Sequence, residues 1–249
     1  MSKADVIFGL HTVLAVLERA PERVLELYVT ETRGDERLKA IIALAKQHDV
    51  AIRMSKKDQL DELTQRAAHQ GVVAKARPAA VWDENELSRF LDSLEGPAFL
   101  LVLDGVTDPH NLGACMRTAD AAGVHAVIVP KDRAAGITPV ARKVASGAAE
   151  VLPFVQVTNL ARTLRDLQER GIWIYGTALD ETAKTLYDTD LRGSVAIVMG
   201  AEGTGIRRLT REHCDGLIYI PMYGSVGSMN VSVATGICLF EAVRQRSLH

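Results

Sequence analysis

Cysteine is scarce: Cys115, Cys214 and Cys238 stand far apart in 249 residues, with no C-x-x-C pairing. That spacing argues against a disulfide framework or a thiolate zinc site, and the three read as small buried hydrophobes. The seven histidines show no H-x-x-x-H or H-E-x-x-H spacing, so no metal is expected. No apolar run approaches the roughly 20 residues that span a bilayer. Near the start, Asp5 and His11 flank a short apolar stretch where a signal peptide would carry its core. A cytoplasmic protein without membrane attachment is expected. An excess of positive charge is also missing, since the net charge is −2, whereas nucleic-acid proteins normally grip phosphates with surplus Lys and Arg.

The distribution of charge says more than the sum. Residues 1–77 hold 13 basic and 11 acidic side chains, residues 78–97 hold 1 and 5, and residues 98–249 hold 15 of each. The acidity therefore sits in a connecting segment. An RNA partner would have to be held by local patches such as Lys131/Arg133, Arg142/Lys143 and Arg207/Arg208/Arg211, which read equally well as ordinary solvated charges.

With 47% hydrophobic residues the chain can bury a sizeable core. Residues 1–77 alternate β-rich runs at 5–8, 25–30, 51–54 and 72–76 with amphipathic stretches at 12–19 and 36–48, the pattern of a small α/β unit. Pro78 opens, and Gly96-Pro97 closes, the acidic segment 78–97, read as a linker with a short helix over 84–94. From residue 98 to 249, near-continuous apolar strands alternate with helices at 111–122, 138–148, 159–170 and 231–246. This implies an α/β domain with a parallel sheet covered on both faces. Ligands in such sheets bind beyond the carboxyl ends of the strands.

Three strand-end segments stand out there. In LDGVTDPHNLGACMRTADAAGV (103–124), Asp108-Pro109 makes a turn, Asn111 is the expected helix N-cap, and Arg117 lies among small residues. That arginine is either functional or buried against carbonyls or Asp120. In IVMGAEGTGI (197–206), Gly200, Glu202, Gly203 and Gly205 suit close approach of backbone to a ligand, or simply a glycine-rich turn. The pattern is neither G-x-G-x-x-G nor a phosphate loop, which removes support for an oxidoreductase or NTPase. In IPMYGSVGSMNVSVATGICLFEAV (220–243), a Gly/Ser loop runs to Asn230, the expected cap of a helix whose Ser232, Ala234 and Gly236 permit close packing. An arginine, a glutamate, two asparagines and serines, without metal or catalytic triad, suit group transfer from a bound cosubstrate whose identity the pattern leaves open.

In order and spacing these segments resemble the three signature motifs of the SpoU family of RNA 2′-O-ribose methyltransferases, part of the SPOUT class. IFGLHTVLAVLERAPERV and HQGVVA in residues 1–77 are similar to the RNA-binding domain of the family's ribosomal group, which methylates a guanosine in 23S ribosomal RNA. The resemblance implies a catalytic domain with a C-terminal trefoil knot, S-adenosylmethionine bound in the knot, and a homodimer in which a second subunit completes the active site. It assigns the cofactor to Gly200, Ile220 and Met229, with Thr177 and Ala178 nearby. It assigns catalysis to Arg117, Asn111, Glu202, Ser228 and Asn230. Gly227 and Met229 depart mildly from the family loop, where serine and leucine are expected. A transfer-RNA methyltransferase of the same family and an idle RNA-binding assembly factor are the alternatives.

Overall fold

A computed structural model describes residues 4–30, 36–201 and 203–247. The chain forms two compact units, residues 1–80 with 146–151, and residues 81–145 with 152–249.

The first unit contains β1 (Asp5–Phe8), α1 (Leu10–Arg19), β2 (Val24–Thr30), α2 (Glu36–Gln47), β3 (Ala51–Ser55), α3 (Lys57–Leu63) and β4 (Val72–Ala76). Its sheet runs β1-β4-β2-β3, with β4 antiparallel to both its neighbours and β3 parallel to β2. Strand residues alternate between two faces. Leu27, Val29, Val72 and Ala74 meet Val13, Val16 and Leu17 of α1 and Leu38, Ile41 and Ala45 of α2, whose spacing of three and four makes one apolar stripe. Tyr28 and Val73 face the other way, onto Leu60 of α3. The sequence hides α3 because KDQLDEL buries Leu60 alone. Arg23 ties residues 146–151 into this unit through the buried carboxylate of Glu150, at 2.9 Å.

The second unit begins with β5 (Val81–Trp82) and α4 (Glu84–Ser93), a helix started by a capping box between Asp83 and Glu86. It continues through β6 (Phe99–Asp104), α5 (Pro109–Ala121), β7 (Ala126–Pro130) and α6 (Pro139–Ala145). The helix expected over 138–148 stops there. Ser146 (φ 52°) and Gly147 (φ 100°) break it, and the following turn, α7 (Ala148–Val151), groups with the first unit. Then come β8 (Phe154–Val157), α8 (Leu160–Glu169), β9 (Trp173–Thr177), β10 (Lys184–Thr185), β11 (Val195–Gly200), α9 (Arg208–Glu212), β12 (Gly216–Tyr219) and α10 (Val231–Arg246).

All paired strands of this unit are parallel, in the order β10-β12-β9-β11-β6-β7-β8-β5. Every residue of β6 and β7 is buried, as a sheet covered on both faces requires. From β6 the chain builds outward through β7 and β8, then crosses to β9 on the other side. The order therefore reverses beside β6 and β11, the place where open α/β sheets bind ligands.

Candidate functional site

Residue Gly200 ends β11, and its neighbours leave no room for a side chain. A Cβ there would fall 2.1 Å from the carbonyl carbon of Gly205 and 2.2 Å from the nitrogen of Ile206. The chain turns back at once, and Ala201 and Gly205 exchange backbone hydrogen bonds of 3.1 and 2.9 Å. Gly203 (φ 77°) and Gly205 (φ 66°) occupy the left-handed conformation that this hairpin needs. Glu202, assigned a catalytic role by the resemblance, lies outside the described residues.

The far end of the hairpin is held by Asp104, the fully buried last residue of β6. Its carboxylate accepts the backbone N–H of Arg207 at 2.9 Å and the Nε–H at 2.5 Å. Next to it, a Cβ on Gly105 would lie 3.4 Å from that of Ala201.

A cleft of about 870 Å³ opens beyond the ends of β9, β11 and β12. Thr177, Ala178, Gly200, Ile220 and Met229 all line it, together with Ser228 and Asn230. Thr177 Oγ1 donates to the carbonyl of Val198 at 3.1 Å, and the Ala178 amide donates to that of Ile218 at 3.0 Å, so both are fixed parts of the wall. Met199, Ile206, Ile218 and Met222 supply apolar surface. Arg211 also lines the cleft, and its guanidinium is paired with Asp180. The hydroxyl and amide of Thr182, then Arg211, hold the Asp180 carboxyl down at about 2. The cleft thus offers little free positive charge to a phosphate, and a glycine cradle with apolar walls to a flat heterocycle.

The two asparagines come together. Asn230 caps α10, its Oδ1 accepting from the Ser232 amide at 2.9 Å and hydroxyl at 2.6 Å, and its Nδ2 donates to Asn111 Oδ1 at 2.9 Å. Asn111 itself is not the cap expected from the sequence. Asp108 is, with its carboxylate on the His110 amide and Pro109 in the first turn, so Asn111 is the third residue of α5 and its side chain bonds Asn230. Helices α5 and α10 touch through small residues: Cys115 Sγ lies 3.5 Å from Thr235 Oγ1, and a Cβ on Gly236 would meet Thr118 at 3.6 Å.

Arg117 stands apart from this group. It is exposed, does not line the cleft, and makes no hydrogen bond or ion pair among the described residues. The option of an arginine buried against carbonyls is thereby removed. The patch Arg207/Arg208/Arg211 is also spoken for: Asp104, Glu212 and Asp180 pair with its members in turn. Asp104 and Asp180 escaped the sequence reading, although an aspartate ending the apolar run FLLVLD is a visible signal. Burial raises the thiols to about 11 for Cys115 and about 12 for Cys214 and Cys238, too high for a nucleophile near neutrality. Among the described residues no group of His, Cys, Asp or Glu is placed to hold a metal, and no helix is long and apolar enough to cross a membrane.

The model of the SpoU rRNA methylase family matches residues 98–240, and that for RNA 2′-O ribose methyltransferase substrate binding matches residues 6–82. The 23S rRNA (guanosine-2′-O-)-methyltransferase RlmB of Escherichia coli (strain K12) is 59% identical over 244 residues, 98% of this chain and all of that one. The protein of that name from Pseudomonas syringae pv. tomato is 58% identical over 99% of this chain and 98% of its own. Among solved structures, an RNA 2′-O ribose methyltransferase superposes with a TM-score of 0.72 at 26% identity, covering 98% of this chain and 90% of its own. The SpoU methyltransferase AviRb from Streptomyces viridochromogenes, in complex with AdoMet, shares the fold with a TM-score of 0.74 at 24% identity, covering 99% and 92%. The parallel sheet, the loops gathered at its carboxyl edge and the matches over both units agree, and the chain belongs to the SpoU rRNA methylase family.

Proposed function

We propose that this protein transfers the methyl group of S-adenosylmethionine to the ribose 2′-OH of a guanosine in 23S ribosomal RNA. The observation that carries this reading is the cleft: the five positions that the resemblance assigns to the cofactor line one cavity, beside the Asn111–Asn230 pair. Its chemistry fits a cosubstrate with a flat base and no phosphates. The 59% identity with a 23S rRNA guanosine methyltransferase over nearly the whole chain supports the choice of RNA, and a ribosomal substrate supports a cytoplasmic location.

S-adenosylmethionine supplies an electrophilic methyl when bound. The chain has to hold a poorly nucleophilic hydroxyl in line and stabilise the negative charge that develops on its oxygen. Gly200, Ile220 and Met229, with Thr177 and Ala178, form the cofactor's wall. Ser228, Asn230 and Asn111 orient the ribose by hydrogen bonds, and Glu202 fixes the arginine or contacts the RNA. Arg117 is the electrostatic clamp on the 2′-oxygen or an adjacent phosphate, because a guanidinium keeps its charge and presents a rigid fork of donors. Its exposure outside the cleft supports a homodimer in which each Arg117 serves the other copy. Val233 (54% exposed) and Phe240 (48%), one heptad apart on α10, supply an apolar face for that pairing. The trefoil knot belongs to the same reading and rests on family membership.

The test is mass spectrometry of nucleosides from 23S RNA lacking ribose methyls, incubated with the protein and labelled S-adenosylmethionine, beside Arg117→Ala. Label in 2′-O-methylguanosine that disappears in the variant is expected. Label on transfer RNA alone would move the substrate, and label on neither would leave an idle RNA-binding factor.

A further inference from the structure

Asp104 has no part in the chemistry above, yet its carboxylate is completely buried. Burying a charge is costly unless it is paired and hydrogen-bonded, and an apolar residue of similar size would serve a core at least as well. Where its bonds go is therefore informative. Both end on one residue, Arg207, from the backbone N–H at 2.9 Å and from Nε–H at 2.5 Å. Arg207 directly follows the hairpin whose Gly203, Gly205 and Ile206 line the cleft, and whose Gly205–Ile206 backbone presses on Gly200. Asp104 itself is the register partner of Gly200 on the neighbouring strand. The other end of the hairpin, Ala201, packs on Gly105. One corner of the chain, residues 104–105, thus meets both Ala201 and Arg207.

We infer that Asp104 is a positioning residue: by clamping Arg207 it holds residues 203–206 in the shape that walls the cofactor cleft, and so sets affinity for S-adenosylmethionine. This rests on the functional reading above. The clamp reaches the reacting atoms only through the hairpin, so its loss weakens cofactor binding and leaves turnover of the saturated enzyme nearly intact. Asparagine at 104 keeps the shape but offers one acceptor oxygen in place of two and removes the charge. The loss of a charge-assisted pair corresponds to about a tenfold change in binding.

The experiment uses the full chain, with calorimetric titration of S-adenosylmethionine and steady-state kinetics at saturating 23S RNA. In Asp104→Asn, Kd and KM for the cofactor rise about tenfold, while kcat and KM for RNA stay within about threefold. Arg207→Gln, altered at a partly exposed side chain, carries the same test if the first variant does not fold, and is expected to show the same split with a smaller rise. Unchanged cofactor Kd in folded variants, or a fall in kcat alone, overturns the clamp. A parent protein that binds no S-adenosylmethionine overturns the functional reading and the clamp with it.

Discussion

At the residue scale, His125 shows how a group remote from the cleft couples the fold to pH. Its backbone N–H donates to the Phe99 carbonyl at 2.8 Å, and its Nδ1 accepts the Phe99 amide at 3.0 Å, so it fastens β7 to β6. Burial, and then the charge of Arg246, hold its pKa below the ordinary histidine value. Arg246 in turn lies 4.4 Å over the Phe99 ring and donates to the carbonyls of Ala98 and Leu191. With a folded pKa below the unfolded one of about 6.5, the unfolded chain binds the proton more readily. The contribution of His125 is therefore complete above that value and declines as pH falls toward the folded pKa. Urea midpoints at pH 7.5 and 5.5 check this. His125→Gln is expected to be less stable at pH 7.5 and to lose less between the two, and an unchanged slope would contradict it. Single residues were legible in the sequence where local rules govern them. Asn230 caps its helix as its position at the end of a Gly/Ser loop suggests. Asn111 does not, because Asp108 followed by Pro109 makes the stronger start.

At the element scale, the packing of α5 on α6 depends on one missing methyl. A Cβ at Gly113 would lie 2.6 Å from the Ala141 carbonyl oxygen and 2.8 Å from the Val144 Cβ, the first of them backbone that cannot swing aside. Gly113→Ala should lower stability by about 1–3 kcal/mol through overpacking, read from denaturant midpoints. A variant as stable as the parent would show that α6 is free to shift. The alternation of strands and helices was legible in residues 98–249 because buried parallel strands read as apolar runs. The short pieces β5, β10, α3 and α9 were not, since two to seven residues carry no periodicity to detect. The pairing of the charged patch 207–211 was not legible for a different reason. Its partners Asp104 and Asp180 are brought to it by the fold across long stretches of chain.

At the scale of the molecule, sedimentation equilibrium should give twice the 27.0 kDa chain mass. Phe240→Lys should halve it and abolish methyl transfer, while S-adenosylmethionine binding to the single-chain cleft remains. A dimer that survives the change would move the pairing surface elsewhere. The relation of Arg117 to the cleft illustrates what a linear pattern cannot carry. Motif order located both on the same sheet edge, but whether one chain brings them into reach is a matter of distance in space.

The three cysteines have a practical consequence. Cys115 and Cys238 are buried, Cys214 is partly so, and burial raises each thiol to about 11 or 12, so the native molecule is expected to react slowly with alkylating reagents at neutral pH. Uptake of such a reagent would count unfolded chains directly, and a cysteine introduced at the surface would accept a fluorescent dye selectively with the three native thiols left in place.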